Sequence, residues 1–225
     1  MMQSLIELDK TIFLIFNSHH TLYFDQVMWI ITGKIIWVPL ILSFIYIFFK
    51  QGWKEGLLAV FMVAITVLLC DQISSGICKP LFERLRPTHD PEFSQYVTVV
   101  NGYLGGRYGF ISSHAANAFG VAIFSTLLFR NKLFSISVII WALISCYSRL
   151  YLGVHYPGDI LFGALAGCLT GYICYKIYQK LHAKIFNNAP IPYKKDKNIN
   201  IIISILYITY IFVFIFAPLI NFKIK

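Results

Sequence analysis

Charged side chains are scarce in this sequence, and acidic ones are the scarcest. Only 13% of the 225 residues are Asp, Glu, Lys or Arg, whereas a soluble domain usually carries about 25%. The hydrophobic share is 58% and the mean hydropathy is +0.69. These values exclude an ordinary soluble domain and indicate an integral membrane protein.

The sequence also lacks the marks of several other protein classes. The first ten residues contain Glu7, Asp9 and Lys10, and the apolar run after them is shorter than the core of a signal peptide, so we expect the N-terminus to be retained. The net charge of +9 comes mainly from lysines that flank apolar runs, which favours contact with anionic lipid headgroups over nucleic acid. Five cysteines without ligand spacing predict buried thiols rather than disulfides or a metal site: Cys70, Cys78, Cys146, Cys168 and Cys174.

Long apolar runs dominate what remains. They predict an all-α integral membrane helical bundle of about six transmembrane helices, preceded by an N-terminal amphipathic helix over residues 3–17. That first helix is expected to lie in the interface or, equally, to pack on the bundle as an ordinary helix. Gly33, Lys34 and Pro39 predict a kink or a shallow insertion in the first span. The predicted spans are residues 26–49, 56–78, 112–129, 133–148, 157–178 and 199–220.

Basic residues follow the first, third and fifth predicted spans, and the positive-inside rule places these turns in the cytoplasm. The connections after the second and fourth spans then face the opposite compartment. The basic C-terminal residues Lys223 and Lys225 argue weakly against this orientation. We expect one membrane-embedded domain over residues 1–225, and the sequence makes no prediction of its oligomeric state.

Residues 148–159 place charged groups between two apolar runs, where each is costly without a partner or a task. If a helix begins near Pro157, His155 and Asp159 lie about one turn apart. A carboxylate at that offset accepts the N–H of one ring nitrogen and leaves the other nitrogen free. The pair therefore predicts a nucleophile or a base, with Arg149 beside it.

Two other polar groups are expected at the same membrane face. Lys79 and Arg86 are seven residues apart and share a face if the segment is helical. Ser112 and Ser113 stand at the start of the third span, where free amides and the helix dipole favour an anion, and His114 follows. Cations, hydroxyls, amides and two imidazoles around one point are typical of a phosphoryl site, and such a site needs no metal or other cofactor if cations already neutralise the phosphate oxygens.

The spacings Lys79-x6-Arg86-Pro87, Ser112-Ser113-His114 and Ser148-Arg149-x5-His155-x3-Asp159 resemble the three signature motifs of the type 2 phosphatidic acid phosphatase (PAP2) superfamily. This motif core covers residues 79–159. The chain departs from the usual pattern in two ways. Ile111 and Ser113 replace the family's proline and glycine before His114, and a span at residues 199–220 is appended while the N-terminus is interfacial.

The resemblance implies a role for each matching residue. His155 would attack phosphorus to form a phosphohistidine, Asp159 would orient it, and His114 would protonate the leaving oxygen and then activate water. The phosphate would be held by Lys79, Arg86, Ser112, Ser113 and Arg149. Glu83 and Arg84 are expected to pair or to face solvent, and the glycine-rich stretch around Arg107 to act as a flexible lid, to contact the headgroup or simply to cover the site.

The resulting hypothesis is a metal-independent lipid phosphatase at the outer leaflet of a bacterial inner membrane, with its site facing the periplasm. Undecaprenyl diphosphate is the first choice of substrate and the lipid A phosphate the second. One alternative is a phosphotransferase that passes the phosphoryl group to another lipid. An alternative of another class is a transporter in which His114, His155 and Asp159 coordinate a metal such as zinc.

Overall fold

The computed structural model describes residues 2–194 and 196–219, and within these residues the secondary structure is helical apart from one isolated bridge between Leu85 and Tyr108. The predicted all-α class is confirmed. Lys195, Lys223, Lys225 and the last residue of the final predicted span, Ile220, lie outside the described residues. The main helices of the described part are α1 (Met2–Asn17), α2 (Leu22–Thr32), α3 (Val38–Lys50), α4 (Trp53–Phe82), α5 (Ser113–Phe129), α6 (Lys132–Tyr151), α7 (Pro157–Ile185) and α8 (Ile199–Phe216).

Four of these helices are long and apolar enough to cross a membrane: α4, α6, α7 and α8 with its terminal 3₁₀ turn. The bent pair of α2 and α3 raises the number of spans to five if it crosses as one unit. The apolar helix α5 has 17 residues, which is at the lower limit for a bilayer. These six units correspond to the six predicted spans.

The kink predicted in the first span is present and large. Leu22–Thr32 and the following segment, Ile35–Lys50, meet at 64°. Gly33 closes α2 with an extended backbone, and a 3₁₀ turn leads into α3, whose second residue is Pro39. The break fits the sequence because proline at the start of a helix needs no amide hydrogen bond.

Helix α1 combines the two alternatives left open by its sequence. Phe13 and Asn17 are buried against the bundle, whereas Leu5, Leu8 and Ile15 are exposed. Asn17 Nδ2 donates to the carbonyl oxygens of Tyr151 (2.8 Å) and Thr98 (3.0 Å). The helix is therefore anchored to the bundle and still presents an apolar stripe outward.

Helix α4 runs past the end of the predicted second span. Its segment Gln72–Cys78 is π-helical, and the helix continues through Lys79–Phe82. Glu83 ends it with a left-handed backbone (φ 46°). Lys79 therefore sits on the last helical turn, at the end of the bundle where α5 and α7 begin; this end is called the motif end below.

The central contact of the bundle is between α5 and α7. Three glycines of α7 spaced by four residues face α5, and a Cβ on any of them would press into α5 backbone. Small residues at this spacing let membrane helices approach closely. The facing positions are Gly163, Gly167 and Gly171 on α7 and Ser112, Ala116 and Gly120 on the other side. This close approach brings the starts of α5 and α7 together at the motif end.

Helix α8, the appended span, packs on the bundle through an apolar face that includes Ile202, Leu206 and Val213. Tyr210 contacts the Trp37 ring at 5.5 Å between centroids, and Tyr23 Oη donates to the Phe214 carbonyl (2.8 Å). The helix thus braces the bent pair α2 and α3, away from the residues of the motifs.

Candidate active site

Lys79 and Ser113 come from different helices and meet at the motif end. Lys79 Nζ donates to Ser113 Oγ (2.7 Å) and to Ser75 Oγ (2.9 Å). The two hydroxyl oxygens are themselves 2.9 Å apart. Ser75 lies in the π-helical segment of α4, where side chains depart from the usual 3.6-residue spacing. Sequence reasoning missed Ser75, although its four-residue spacing from Lys79 is a signal that could have found it.

Arg86 reaches the site from a loop and not from a helix shared with Lys79, so the helical register expected between them is wrong. The helix ends at Phe82, and Arg86 has an extended backbone (ψ 158°). Arg86 Nε donates to the Tyr108 carbonyl (3.1 Å) and Nη1 to the Val154 carbonyl (3.4 Å). The side chain is 8% exposed.

The glycine-rich loop forms the wall that holds Arg86. Gly105 has a left-handed backbone (φ 70°), and a Cβ there would lie 2.5 Å from Arg86 Nη1. A Cβ on Gly109 would lie 2.7 Å from Asp159 Oδ2. The loop therefore contacts two motif side chains directly, and glycine at these positions makes the close approach possible.

Arg149 approaches from the end of α6 and is 2% exposed. Nη1 donates to Thr32 Oγ1 of α2, and Nη2 donates to Tyr103 Oη (3.3 Å). Among the described residues Arg149 Nε has no hydrogen-bond partner. A buried donor without a protein partner is available to an anionic group bound at this site.

His155 lies near both arginines, whose charges act on its ring. The backbone of its neighbour Val154 donates to the Arg149 carbonyl (3.2 Å), and the Val154 carbonyl accepts from Arg86. Complete burial and the positive charges of Arg86 and Arg149 hold the pKa of His155 well below the usual histidine value. The ring is therefore neutral at neutral pH and keeps a lone pair.

Asp159 contacts His155 as its sequence offset predicts. Asp159 Oδ2 accepts from Tyr156 N (3.0 Å) and lies 3.4 Å from His155 Nδ1. The first of these bonds caps the N-terminus of α7, so the carboxylate has a structural role as well. The backbone carbonyl of Asp159 accepts a hydrogen bond from Ser112 N (3.0 Å). This bond joins the second and third motifs.

Ser112 is the N-cap of α5, as its position predicts, and its Oγ accepts from Ala115 N (3.4 Å). It is fully buried. His114, the second residue of the helix, is exposed. The charged groups that act on it include Arg149, Arg86 and Lys34. Lys34, at the bend between α2 and α3, was not expected near the site.

Lys79, Arg86 and Arg149 form what we call the cationic cradle. Within residues 2–194 and 196–219 none of the three forms an ion pair with a carboxylate. The nearby carboxylate of Asp159 is instead paired with Arg84, whose Nη1 donates to Oδ1 (3.0 Å). Arg84 therefore neither pairs with Glu83 nor faces solvent alone, contrary to the sequence expectation.

Metal coordination finds little support in the geometry of this site. In the described part of the chain, no three or more His, Cys, Asp or Glu side chains are grouped to hold a metal ion. His114, His155 and Asp159 are thus not arranged as the common cation site that the transporter alternative requires.

The arrangement suits binding of a tetrahedral oxyanion beside a neutral imidazole. Guanidinium groups bind phosphate oxygens in pairs, and a lysine adds a point charge. In a buried site these cations stabilise the charge that develops on phosphoryl oxygens during transfer. The motif end can therefore hold a phosphoryl group beside a neutral imidazole.

Comparison with known proteins gives matches over most of the chain. The PAP2 superfamily model matches residues 55–183. Lipid A 4'-phosphatase of Bacteroides thetaiotaomicron is 43% identical over 86% of this chain and 87% of that protein. Lipid A 4'-phosphatase of Porphyromonas gingivalis is 39% identical over 79% of this chain and 75% of that protein. An undecaprenyl-diphosphatase of Bacillus subtilis is 24% identical over 71% of this chain and 77% of that protein.

The fold also has a counterpart among solved structures. The crystal structure of a transmembrane PAP2-type phosphatidylglycerolphosphate phosphatase from Bacillus subtilis superimposes with a TM-score of 0.60 at 23% identity. The match covers 79% of this chain and 88% of that one. The sequence match to residues 55–183 contains every motif residue from Lys79 to Asp159.

Proposed function

The chain belongs to the PAP2 superfamily and is a multi-pass lipid phosphatase, and we propose that its substrate is a phosphomonoester on a lipid A-type glycolipid. The similarity to two lipid A 4'-phosphatases is much higher than that to the undecaprenyl-diphosphatase, 43% and 39% against 24% identity. This difference reverses the order of substrates expected from the sequence motifs. The motifs indicate a phosphate group but carry no information on the lipid attached to it. Undecaprenyl diphosphate becomes the second candidate.

The observation that carries the proposal of a phosphate-bearing substrate is the unpaired charge of the cationic cradle. Arg86 and Arg149 are 8% and 2% exposed, and burying a cation without a carboxylate is costly. An anionic ligand would offset that cost. A phosphate group on a lipid headgroup can reach the motif end while its acyl chains remain in the bilayer.

The proposed reaction has two steps. In the first, the free ring nitrogen of His155 attacks phosphorus, a P–N bond forms, the ester P–O bond breaks, and the leaving oxygen takes a proton from His114. In the second, His114 accepts a proton from water, the water oxygen attacks phosphorus, and the P–N bond breaks to release inorganic phosphate. Asp159 accepts the Nδ1–H of His155 and stabilises the positive charge of the intermediate. Throughout, the cationic cradle binds the phosphoryl oxygens, with Ser112 and Ser113 beside it.

We further propose that the site faces the periplasm at the outer leaflet of a bacterial inner membrane. Basic residues cluster at the end of the bundle opposite the motifs, around Lys50, Arg130 and Lys184. Cytoplasmic connections carry such an excess of Lys and Arg. A lipid in the outer leaflet would then present its phosphate directly to the site.

The test is phosphate release by the purified protein in detergent. Lipid A, undecaprenyl diphosphate, phosphatidylglycerol phosphate and phosphatidic acid are supplied separately, and kcat/KM is measured for each. We expect lipid A to give the highest value and the His155→Asn variant to release no phosphate from any of them. Turnover by the folded His155→Asn variant would refute the nucleophile assignment, and a preference for undecaprenyl diphosphate would refute the substrate assignment.

The same experiment separates hydrolysis from phosphoryl transfer. Hydrolysis releases inorganic phosphate with water as the only acceptor. A protein that releases phosphate only slowly until a second lipid is added, and then phosphorylates that lipid, would be a phosphotransferase.

A further inference from the structure

Helix α1 makes direct polar contacts with the surroundings of the catalytic carboxylate. Asp9 Oδ2 accepts from Arg84 Nη2 (2.6 Å), and Asp9 Oδ1 accepts from Gly158 N (2.8 Å). Arg84 Nη1 in turn donates to Asp159 Oδ1 (3.0 Å). One arginine therefore connects a carboxylate of α1 with the carboxylate that holds His155.

Apolar contacts hold α1 against the neighbour of His155. The Phe13 ring packs edge-on to Tyr156, with 5.7 Å between centroids, and the Arg84 guanidinium lies over the Tyr156 ring at 4.4 Å. Tyr156 Oη donates to Asp90 Oδ2 (3.3 Å), and Lys10 of α1 forms an ion pair with the same oxygen (3.4 Å). The residue that follows the proposed nucleophile is thus held by α1.

The first turn of α7 depends on Asp9. Gly158 is the second residue of that helix, and its N–H is one of the amides that no helical carbonyl satisfies. A carboxylate at this position also interacts favourably with the helix dipole. A Cβ on Gly158 would lie 2.9 Å from Asp9 Oδ2, so the approach requires a glycine.

Asp159 has no exposed surface, and its two carboxylate oxygens have different partners. Oδ2 contacts His155 and accepts from the Tyr156 amide, while Oδ1 accepts from Arg84. Among the described residues Arg84 is the one lysine or arginine that pairs with Asp159. The second ion pair, between Arg84 and Asp9, fixes the orientation of the Arg84 guanidinium.

We propose that Asp9 and Arg84 are positioning residues for the phosphatase reaction. They fix the carboxylate of Asp159, and through it the ring of His155, so that docking of α1 is required for a full catalytic rate. This inference rests on the proposed role of His155 as nucleophile. Neither residue belongs to the cationic cradle, so we expect both to act on kcat rather than on substrate binding.

The experiment compares Asp9→Asn and Arg84→Lys with Glu7→Gln, a matched loss of one carboxylate at an exposed position of α1. Steady-state kcat and KM are measured with lipid A, and the number of intact sites is measured by binding of orthovanadate, a phosphate analogue. Loss of a group that orients a metal-binding histidine costs about 10- to 100-fold, and we apply the same range to a histidine oriented through Asp159. We expect a decrease of that size in kcat for Arg84→Lys, a decrease of about tenfold for Asp9→Asn, and unchanged KM and vanadate capacity in both.

A chemical rescue separates positioning from folding. The Arg84→Gly variant is assayed with and without added guanidinium ion, which can occupy the space between Asp9 and Asp159. We expect the ion to restore part of kcat in this variant and to leave wild type unchanged. No rescue, a kcat within twofold of Glu7→Gln, or a rate loss fully explained by lost vanadate capacity would overturn the inference. Because wild type and His155→Asn are measured alongside, failure of the nucleophile assignment is recognised separately.

Discussion

At the scale of single residues, the electrostatic environment of His155 decides its chemistry. A nucleophilic imidazole must be neutral, and the cations that bind phosphate also disfavour its protonation. Complete burial, Arg86 and Arg149 together lower the pKa of His155 well below its ordinary value. The residues proposed to bind the substrate thus also keep the proposed nucleophile in its neutral form.

The ionisation of His155 can be observed directly. Because its pKa is lowered, the neutral form dominates at every pH above that lowered value. We expect the ring-nitrogen NMR signals of His155, assigned by their loss in His155→Asn, to remain those of a neutral imidazole at pH 6.5 and to titrate only at lower pH. The denatured protein is the control, since its histidines titrate near pH 6.5. Titration of the native His155 signal near pH 6.5 would contradict the prediction.

The residues that sequence reasoning missed share a physical feature. Ser75 and Arg84 contact the motif residues Lys79 and Asp159, and Asp9 contacts Arg84. None of these three residues has a chemistry of its own that its sequence position reveals. The motif residues could be identified because their types and spacings imply a chemistry on their own. A supporting ion pair between residues 75 positions apart leaves no such spacing.

At the scale of helices, the close contact between α5 and α7 fixes the distance between the second and third motifs. Ser112 and Asp159 are joined by a backbone hydrogen bond (3.0 Å) at the top of this contact. The glycines of α7 set how near the two helices can come. A side chain at that contact would separate the helices and with them the groups of the site.

The variant Gly167→Ala tests this contact. Its Cβ would collide with the backbone of Ala116, and overpacking of this kind costs about 1–3 kcal/mol. We expect a lower thermal unfolding temperature in detergent and a reduced kcat. Gly106→Ala is the control, because a Cβ there meets nothing within 4 Å. Equal stability of Gly167→Ala and wild type would show that the helices can move apart without loss.

Helix positions were largely predictable from hydropathy, and the details at the helix ends were not. The bend at Gly33 and the cap at Ser112 follow from local residue preferences. The end of α4 at Phe82 does not, because Glu83 adopts a left-handed backbone that its residue type disfavours. Arg86 therefore reaches the site by way of a loop.

At the scale of the whole molecule, charge is distributed unequally between the two ends of the bundle. At the end opposite the motifs, Lys50 Nζ donates to Asn198 Oδ1 (2.8 Å), and Gln51 Nε2 donates to Asp196 Oδ2 (2.5 Å). The turn between α3 and α4 and the connection before α8 are thus neighbours. Together with Arg130 and Lys132 they form a basic surface. At the motif end, by contrast, Lys10 and Arg84 pair with carboxylates, and Lys79, Arg86 and Arg149 form the cationic cradle.

This asymmetry predicts the orientation of the protein in the membrane. A single cysteine is introduced at Tyr96, which is 62% exposed at the motif end, or at Lys180, which is exposed near the other end of α7. The positive-inside rule places Lys180 in the cytoplasm, so we expect a membrane-impermeant thiol reagent to label Tyr96→Cys in intact spheroplasts and Lys180→Cys only after the membrane is permeabilised. The unmodified chain is the control for the five native cysteines. Labelling of Lys180→Cys but not Tyr96→Cys in intact spheroplasts would place the phosphatase site in the cytoplasm, and a substrate in the outer leaflet would then be ruled out.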